Sequence, residues 1–174
     1  DYGSTTRFGG TATHTMTLYR APSGALVFGA GTVQWAFGLD SWNPGDNPPD
    51  RNMQQATVNL FADMGVQPAT LASNLTPASP STDTTPPTAT ITNPPTTVAD
   101  GSTVVLTGTA TDAGGGVVAG VEISTDGGAT WRRANGTTNW SYSWTAHGAP
   151  ATTIKVRATD DSGNMQTPGP GVTV

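Results

Sequence analysis

The chain has 174 residues, a net charge of −5, only 11% charged side chains and no cysteine, which excludes a disulfide framework, a thiolate metal site and a cysteine nucleophile. Its one lysine, Lys155, and six scattered arginines form no basic stripe to release counterions from phosphates, so nucleic acid is excluded as a partner and adhesion to anionic membranes is disfavoured. No apolar run reaches the roughly 18 residues of a membrane span, so no membrane insertion is expected, and residues 1–3 lack the basic and apolar regions of a signal peptide.

Along the chain, residues 14–20 alternate with period two and place Met16 and Leu18 on one face of a strand. Residues 22–24, Pro-Ser-Gly, are a turn, and the continuous apolar run 25–28 suits a buried strand. A Gly/aromatic segment leads to Trp42, followed by a loop rich in Asp, Asn and Pro. Between residues 51 and 64, Met53, Ala56, Leu60, Phe61 and Met64 follow helical spacing, with Asp50 as N-cap and Gly65 as the C′ glycine. Two strands and one helix are too little to bury those faces. Residues 1–71 are therefore expected to be the end of a larger α/β domain whose earlier strands precede Asp1, with packing onto the second module as the alternative.

Residues 72–87, ASNLTPASPSTDTTPP, hold almost no large apolar side chain, and their prolines cannot join a helix interior or a central strand. This composition is a semi-extended linker. Beyond it, in residues 88–174, strand signals recur at short spacing with turn chemistry between them: 88–93, 104–110, 118–124, 131–133, 140–144, 152–159 and 172–174. In the sixth of these, Ile154, Val156 and Ala158 point inward while Lys155 and Arg157 point outward. Seven short strands in about 90 residues is the signature of an Ig-like sandwich, here without the cysteine pair of antibody domains. The expected fold is mainly β: an Ig-like (E-set/fibronectin III-like) sandwich at 88–174, a linker at 72–87 and an α/β fragment of one β-hairpin and one helix at 1–71.

Two resemblances bear on this division. Residues 13–40, with the helix after them, resemble the end of the C-terminal domain of N,N-dimethylformamidase large-subunit-like proteins. That resemblance implies a glutamine-amidotransferase-like α/β fold and a secreted bacterial multidomain setting. The iron site of the characterised amidase has no matching ligand at any position here, so no catalytic residue is carried over. Residues 124–131, Ser-Thr-Asp-Gly-Gly-Ala-Thr-Trp, match the Asp-box hairpin S-x-D-x-G-x-T-W of sialidases and other β proteins. They also resemble a hairpin in the Ig-like dimerisation domain of sulfite oxidases. Its chemistry is local: Asp126 accepts backbone N–H bonds across the turn, Gly127 and Gly128 permit positive φ, and Trp131 covers the hairpin base.

Candidate sites are few. The acidic inventory is eleven Asp and Glu122; Glu122 lies on an outer strand face and the Asp residues sit mostly at turns, a poor basis for paired-carboxylate glycosidase chemistry. Asp40, Asn43, Asp46 and Asp50 crowd one loop with the oxygen ligands that Ca²⁺ takes, against the reading of Asp50 as a cap. Asp112, Asp160 and Asp161 lie on inter-strand turns that a sandwich can gather at one end, where a cation competes with ordinary turn chemistry. His14 opens a strand and would border the active site of the larger domain. Neither it nor His147 has a neighbouring nucleophile in sequence. Trp140, Tyr142 and Trp144 share one strand face; such a row fills a sandwich core or stacks on sugar rings, and core packing is the favoured reading.

These readings converge on a non-catalytic accessory segment of a secreted or cell-surface bacterial protein, with no cofactor apart from possible Ca²⁺. Its expected partners are the upstream domain of the same protein and polysaccharide or cell-surface material. A carbohydrate-binding module and an enzyme fragment completing an amidase-like site with an upstream chain are the competing expectations.

Overall fold

A computed structural model describes residues 14–42 and 48–174. The chain divides into two compact units, Asp1–Pro80 and Ser81–Val174, so the division falls inside the Pro/Thr/Ser stretch. That stretch is held on both sides of the division. Arg51 Nε donates to Asn74 O and Gln55 pairs with the backbone of Thr76 in the first unit; Ser81 bonds Ser162 in the second, through their hydroxyls at 2.7 Å.

In the first unit, β1 (Thr17–Arg20) and β2 (Leu26–Gly29) form an antiparallel hairpin. Its turn closes with Ala21 N donating to Ala25 O, and Gly24 takes φ +86°. A 3-10 turn, Trp35–Gly38, precedes α1 (Arg51–Asp63). Asp50 caps α1 by accepting from the backbone N–H of Asn52 and Met53, and Gly65 follows the helix at φ +74°. Trp35 knits the unit: its ring meets Phe28 edge-on at 5.5 Å and its indole N–H donates to Thr57 Oγ1. Two expectations need correcting here. The apolar run ending in Phe28 is not a buried strand: among the described residues no second sheet layer covers the hairpin, and Val27 remains exposed. On α1 the buried positions are Val58 and Ala62, whereas Phe61 and Met64 face outward.

The second unit is a two-layer sandwich. One sheet runs β3 (Thr88–Ile91), β4 (Thr103–Thr111), β8 (Asn139–Thr145), β7 (Asn135–Gly136). The other runs β10 (Val172–Thr173), β9 (Thr153–Asp160), β5 (Val118–Ser124), β6 (Arg132–Arg133). Every pairing is antiparallel, and strands consecutive in sequence change sheets between β4 and β5, between β6 and β7 and between β8 and β9. This is an Ig-like, fibronectin III-like arrangement. Alternation along each strand turns Leu106, Ala110, Trp140 and Trp144 of the first sheet toward Val121, Ile123, Ile154 and Ala158 of the second, and these side chains form one buried cluster.

Two local devices close the sandwich. Gly108 pairs directly with Trp140, and the indole lies where a side chain on residue 108 would be. Gln166 joins the sheets across their open side: its Oε1 accepts from the backbone N–H of Ala89 on β3 (2.8 Å) and of Ala158 on β9 (3.1 Å), while Nε2 donates to Ala89 O. Gly108→Ala drives a methyl into the Trp140 ring and the carbonyl of Thr90, so urea denaturation should show a loss of about 1–3 kcal/mol from overpacking. Gln166→Ala orphans two backbone donors, and the same measurement should show a loss of roughly 1–3 kcal/mol.

Candidate metal centre

The turns at one end of the sandwich bring together three carboxylates that are far apart in sequence. Asp83 precedes β3, Asp112 follows β4 and Asp160 ends β9, and one oxygen from each lies within 4.8 Å of the others. Local hydrogen bonding fixes each carboxylate. Asp83 Oδ1 accepts from Thr85 N at 2.8 Å, and Asp112 Oδ1 from Gly114 N at 3.1 Å, both short turns closed by the side chain. Asp160 is 3% exposed; its Oδ1 accepts from Ser162 N and Asn164 N, and its Oδ2 from Asn164 Nδ2. The same Asn164 amide donates to Asp83 O at 3.1 Å, which ties the chain before β3 to the turn after β9.

The remaining oxygens are the informative ones. Asp83 Oδ2 and Asp112 Oδ2 each expose less than 1 Å² and accept no hydrogen bond from any described residue. A Cβ built on Gly116 would stand 2.9 Å from both of them and closer still to Asp161 Oδ1, so only a glycine here lets these carboxylate oxygens approach so closely. Among the described residues no Lys, Arg or His forms an ion pair with Asp83, Asp112 or Asp160. At an effective dielectric of about 20, two unit charges about 5 Å apart repel by roughly 3 kcal/mol. The arrangement therefore concentrates negative charge and unused lone pairs at one point. Oxygen-only donors of this kind suit a hard divalent cation better than a transition metal.

Of the residues singled out in the sequence, Asp112 and Asp160 meet here. Asp161 stands beside them but its Oδ1 accepts from Val117 N at 3.0 Å. Asp83, which composition placed in a linker, is the member that sequence reasoning missed; its only sequence signal is an Asp-Thr-Thr-Pro run directly before the first strand. Asp40 belongs to the other unit, is exposed, and accepts from Trp42 N at 2.9 Å as a turn residue. Asp46 and Asn43 lie outside the described residues.

The other candidates separate from any chemistry. Trp140 and Trp144 are 3% and 6% exposed and belong to the core, with Tyr142 packed against it, so the aromatic row does not present a surface for sugar stacking. His14 borders a mainly apolar cavity of about 410 Å³ with Met16, Trp35 and Met53, and its Nε2 bonds the carbonyl of Ala30. No serine, cysteine or carboxylate lines that cavity among the described residues. His147 stands 3.8 Å from Asp100, both well exposed, a pairing of little energetic weight. Glu122 lies on the outer sheet face, where Arg157 grips it at 2.7 Å and stacks on Trp131 with its guanidinium carbon 4.1 Å from the ring centroid.

The hairpin at residues 124–131 is held by hydrogen bonds centred on Asp126 and Ser124, with Thr125 O and Gly127 N bonding Thr152 and Thr153 beside it. Thr130 donates its hydroxyl to Asp126 Oδ2 (2.5 Å) and its backbone N–H to Oδ1 (2.8 Å), Ser124 Oγ donates to Oδ1, and Gly128 N donates to Ser124 Oγ. Gly127 and Gly128 both take positive φ there. The Thr130 hydroxyl above all, then its backbone N–H and the Ser124 hydroxyl, hold the Asp126 carboxyl well below the usual carboxylate range. A carboxyl depressed on folding lends stability above its unfolded pKa of about 3.9 and loses it as the pH falls further. Asp126→Asn should therefore lower the melting temperature at pH 7, and the gap from wild type in thermal melts should narrow between pH 5 and pH 2.

Residues 87–158 match the family of the bacterial Ig domain; the match includes Asp112 and stops short of Asp83 and Asp160. Among solved structures, the chain is similar to one described as the fibronectin(III)-like modules of Clostridium thermocellum CbhA. The identity is 25% and the TM-score 0.41, over 53% of this chain and 46% of that one, so this chain spans less than half of that structure's length. A search of curated proteins finds no match.

Proposed function

We propose that the chain is a non-catalytic segment of an exported bacterial multidomain protein, in which an Ig-like module serves as spacer and docking surface behind the end of a larger α/β domain. The observation that carries this reading is the contrast between the two units. The sandwich closes its core completely, with Leu106, Val121 and Ile154 at 0% exposure. The first unit, in its described residues, leaves Met16, Tyr19, Phe61 and Met64 largely exposed, the surface expected of a piece whose neighbouring layer is missing.

The setting rests on three further supports. The match of residues 87–158 to the bacterial Ig domain supports an accessory role, since such modules are commonly attached to other domains and commonly lie outside the cell. The resemblance of residues 13–40 to dimethylformamidase large-subunit-like proteins supports an amidotransferase-like identity for the larger domain. No described helix is long and apolar enough to cross a membrane. The positions of Trp140 and Trp144 inside the core turn the docking role away from sugar stacking on that strand and toward the outer faces and ends of the sandwich.

Incubation of the full chain with simple formamides and with a panel of glycosides should show no turnover, and limited proteolysis should remove residues 1–80 and leave a resistant fragment beginning near Ser81. Turnover of either substrate class, or survival of residues 1–80 as the resistant fragment, would overturn the assignment.

A further inference from the structure

We propose that Asp83, Asp112 and Asp160 hold a calcium ion, and that this ion fastens the chain leading into the sandwich to the sandwich itself. The proposal goes beyond the accessory role above and does not depend on it. Two independent observations carry it. The first is convergence: three carboxylates from three separate turns place an oxygen each within 4.8 Å of one another. The second is the pair of orphaned atoms. Asp83 Oδ2 and Asp112 Oδ2 are shielded from solvent to less than 1 Å² and have no donor among the described residues, although buried carboxylate oxygens are normally satisfied. Both crowd the side-chain-free position of Gly116 at the same distance, and Asp160 Oδ2, which takes a single bond from Asn164, keeps a lone pair for a third ligand.

The donor set selects the ion. Three carboxylates supply formal charge −3 and oxygen ligands only, and Ca²⁺ accepts six to eight oxygens at about 2.3–2.6 Å in a flexible geometry. Mg²⁺ demands a near-ideal octahedron and retains its waters, so a site assembled from three loops fits it less well. A loop-built site of this size corresponds to the weaker class of calcium modules, with Kd on the order of 10⁻⁴–10⁻³ M. Such affinity serves a protein in a calcium-rich medium.

The consequence for the fold follows from where the ligands sit. Asp112 and Asp160 belong to β-strand ends in opposite sheets, while Asp83 belongs to the segment before β3. In the protein chain alone that segment is held there by Asn164 Nδ2 on Asp83 O and by the Ser81–Ser162 hydroxyl pair. An ion shared by the three carboxylates converts their mutual repulsion into a cross-link between the two sheets and the incoming segment. The stretch between the two units is then set by cation supply on its sandwich side.

The test uses the full chain after chelator treatment. Calorimetric titration with CaCl₂ should show one ion per chain, and the melting temperature should rise as calcium passes its Kd, with a smaller rise in equal MgCl₂. Hydrogen exchange of residues 81–87 should slow when calcium is added. Asp112→Asn should abolish the calcium-dependent rise while melting at or above the wild-type temperature in chelator, because it removes a repelling charge; a purely structural carboxylate would instead lose stability in chelator. Asp83→Asn carries the same two-sided expectation, which keeps the test valid if Asp112→Asn fails to fold, and Asp100→Asn should bind as wild type does. No binding to wild type at 10-fold above the upper end of that Kd range, or undiminished binding in the Asp83→Asn and Asp112→Asn variants, overturns the site. Binding without protection of residues 81–87 overturns the fastening.

Discussion

The sandwich depends on one constraint: with no cysteine to staple its sheets, everything that holds them together must come from side chains packed between their inner faces. Leu106, Val121, Ile123 and Ile154 supply the aliphatic part, and Trp140 and Trp144 the bulk that fills the space between layers. That bulk is admitted only because Gly108 opposes Trp140 and leaves its own side-chain volume to the indole. Where β3 of one sheet meets β9 of the other, Gln166 adds a single amide that satisfies backbone groups on both. The rest of the unit, including the position of every turn, follows from this core.

A core of that kind also determines what the ends can do. The strands are short, so each turn falls close to others at the same end, and the polar residues that make turns are gathered there. At one end this gathers Asp83, Asp112 and Asp160 around shared space. On the outer face it gathers Glu122, Arg157 and Trp131, which satisfy one another and leave little for a ligand. The hairpin at residues 124–131 turns its side-chain hydrogen bonds inward to Asp126 and Ser124, while Thr125 O and Gly127 N bond residues 152 and 153 beside it. Among the described residues of the sandwich, the carboxylate oxygens left unspent lie at that one end; the other buried polar atom without a partner is the Trp140 indole nitrogen inside the core.

The first unit shows the opposite case. Its elements form where sequence places them, and the cap at Asp50 and the glycine at 65 are as their residue types require. Local signals are enough to start and stop a helix, but they do not supply a second layer. Phe61 and Met64 sit at helical spacing that reads as core, yet they are exposed, because the face they extend has nothing packed over it in the described residues. Helical period identifies a face, whereas its burial depends on what lies opposite.

The sequence by itself determined seven of the eight strands of the sandwich, all but the two-residue β7 at Asn135–Gly136, and the inward faces of the longer ones. The period-two alternation is a property of neighbouring residues, and burying one face leaves only one register. It also determined that Trp140, Tyr142 and Trp144 share a side, and that residues 124–131 form a tight hairpin around Asp126. Only the tertiary structure decided that the aromatic side was the core, that Asp160 belonged with Asp112, and that Asp83, in a stretch with every mark of a linker, completed their cluster. The physical reason is the range of the signal. Alternation and turn chemistry act over a few residues, while the meeting of Asp83 with Asp160 depends on which strand ends lie side by side, and that is set by the packing of two sheets and the order in which the chain crosses between them.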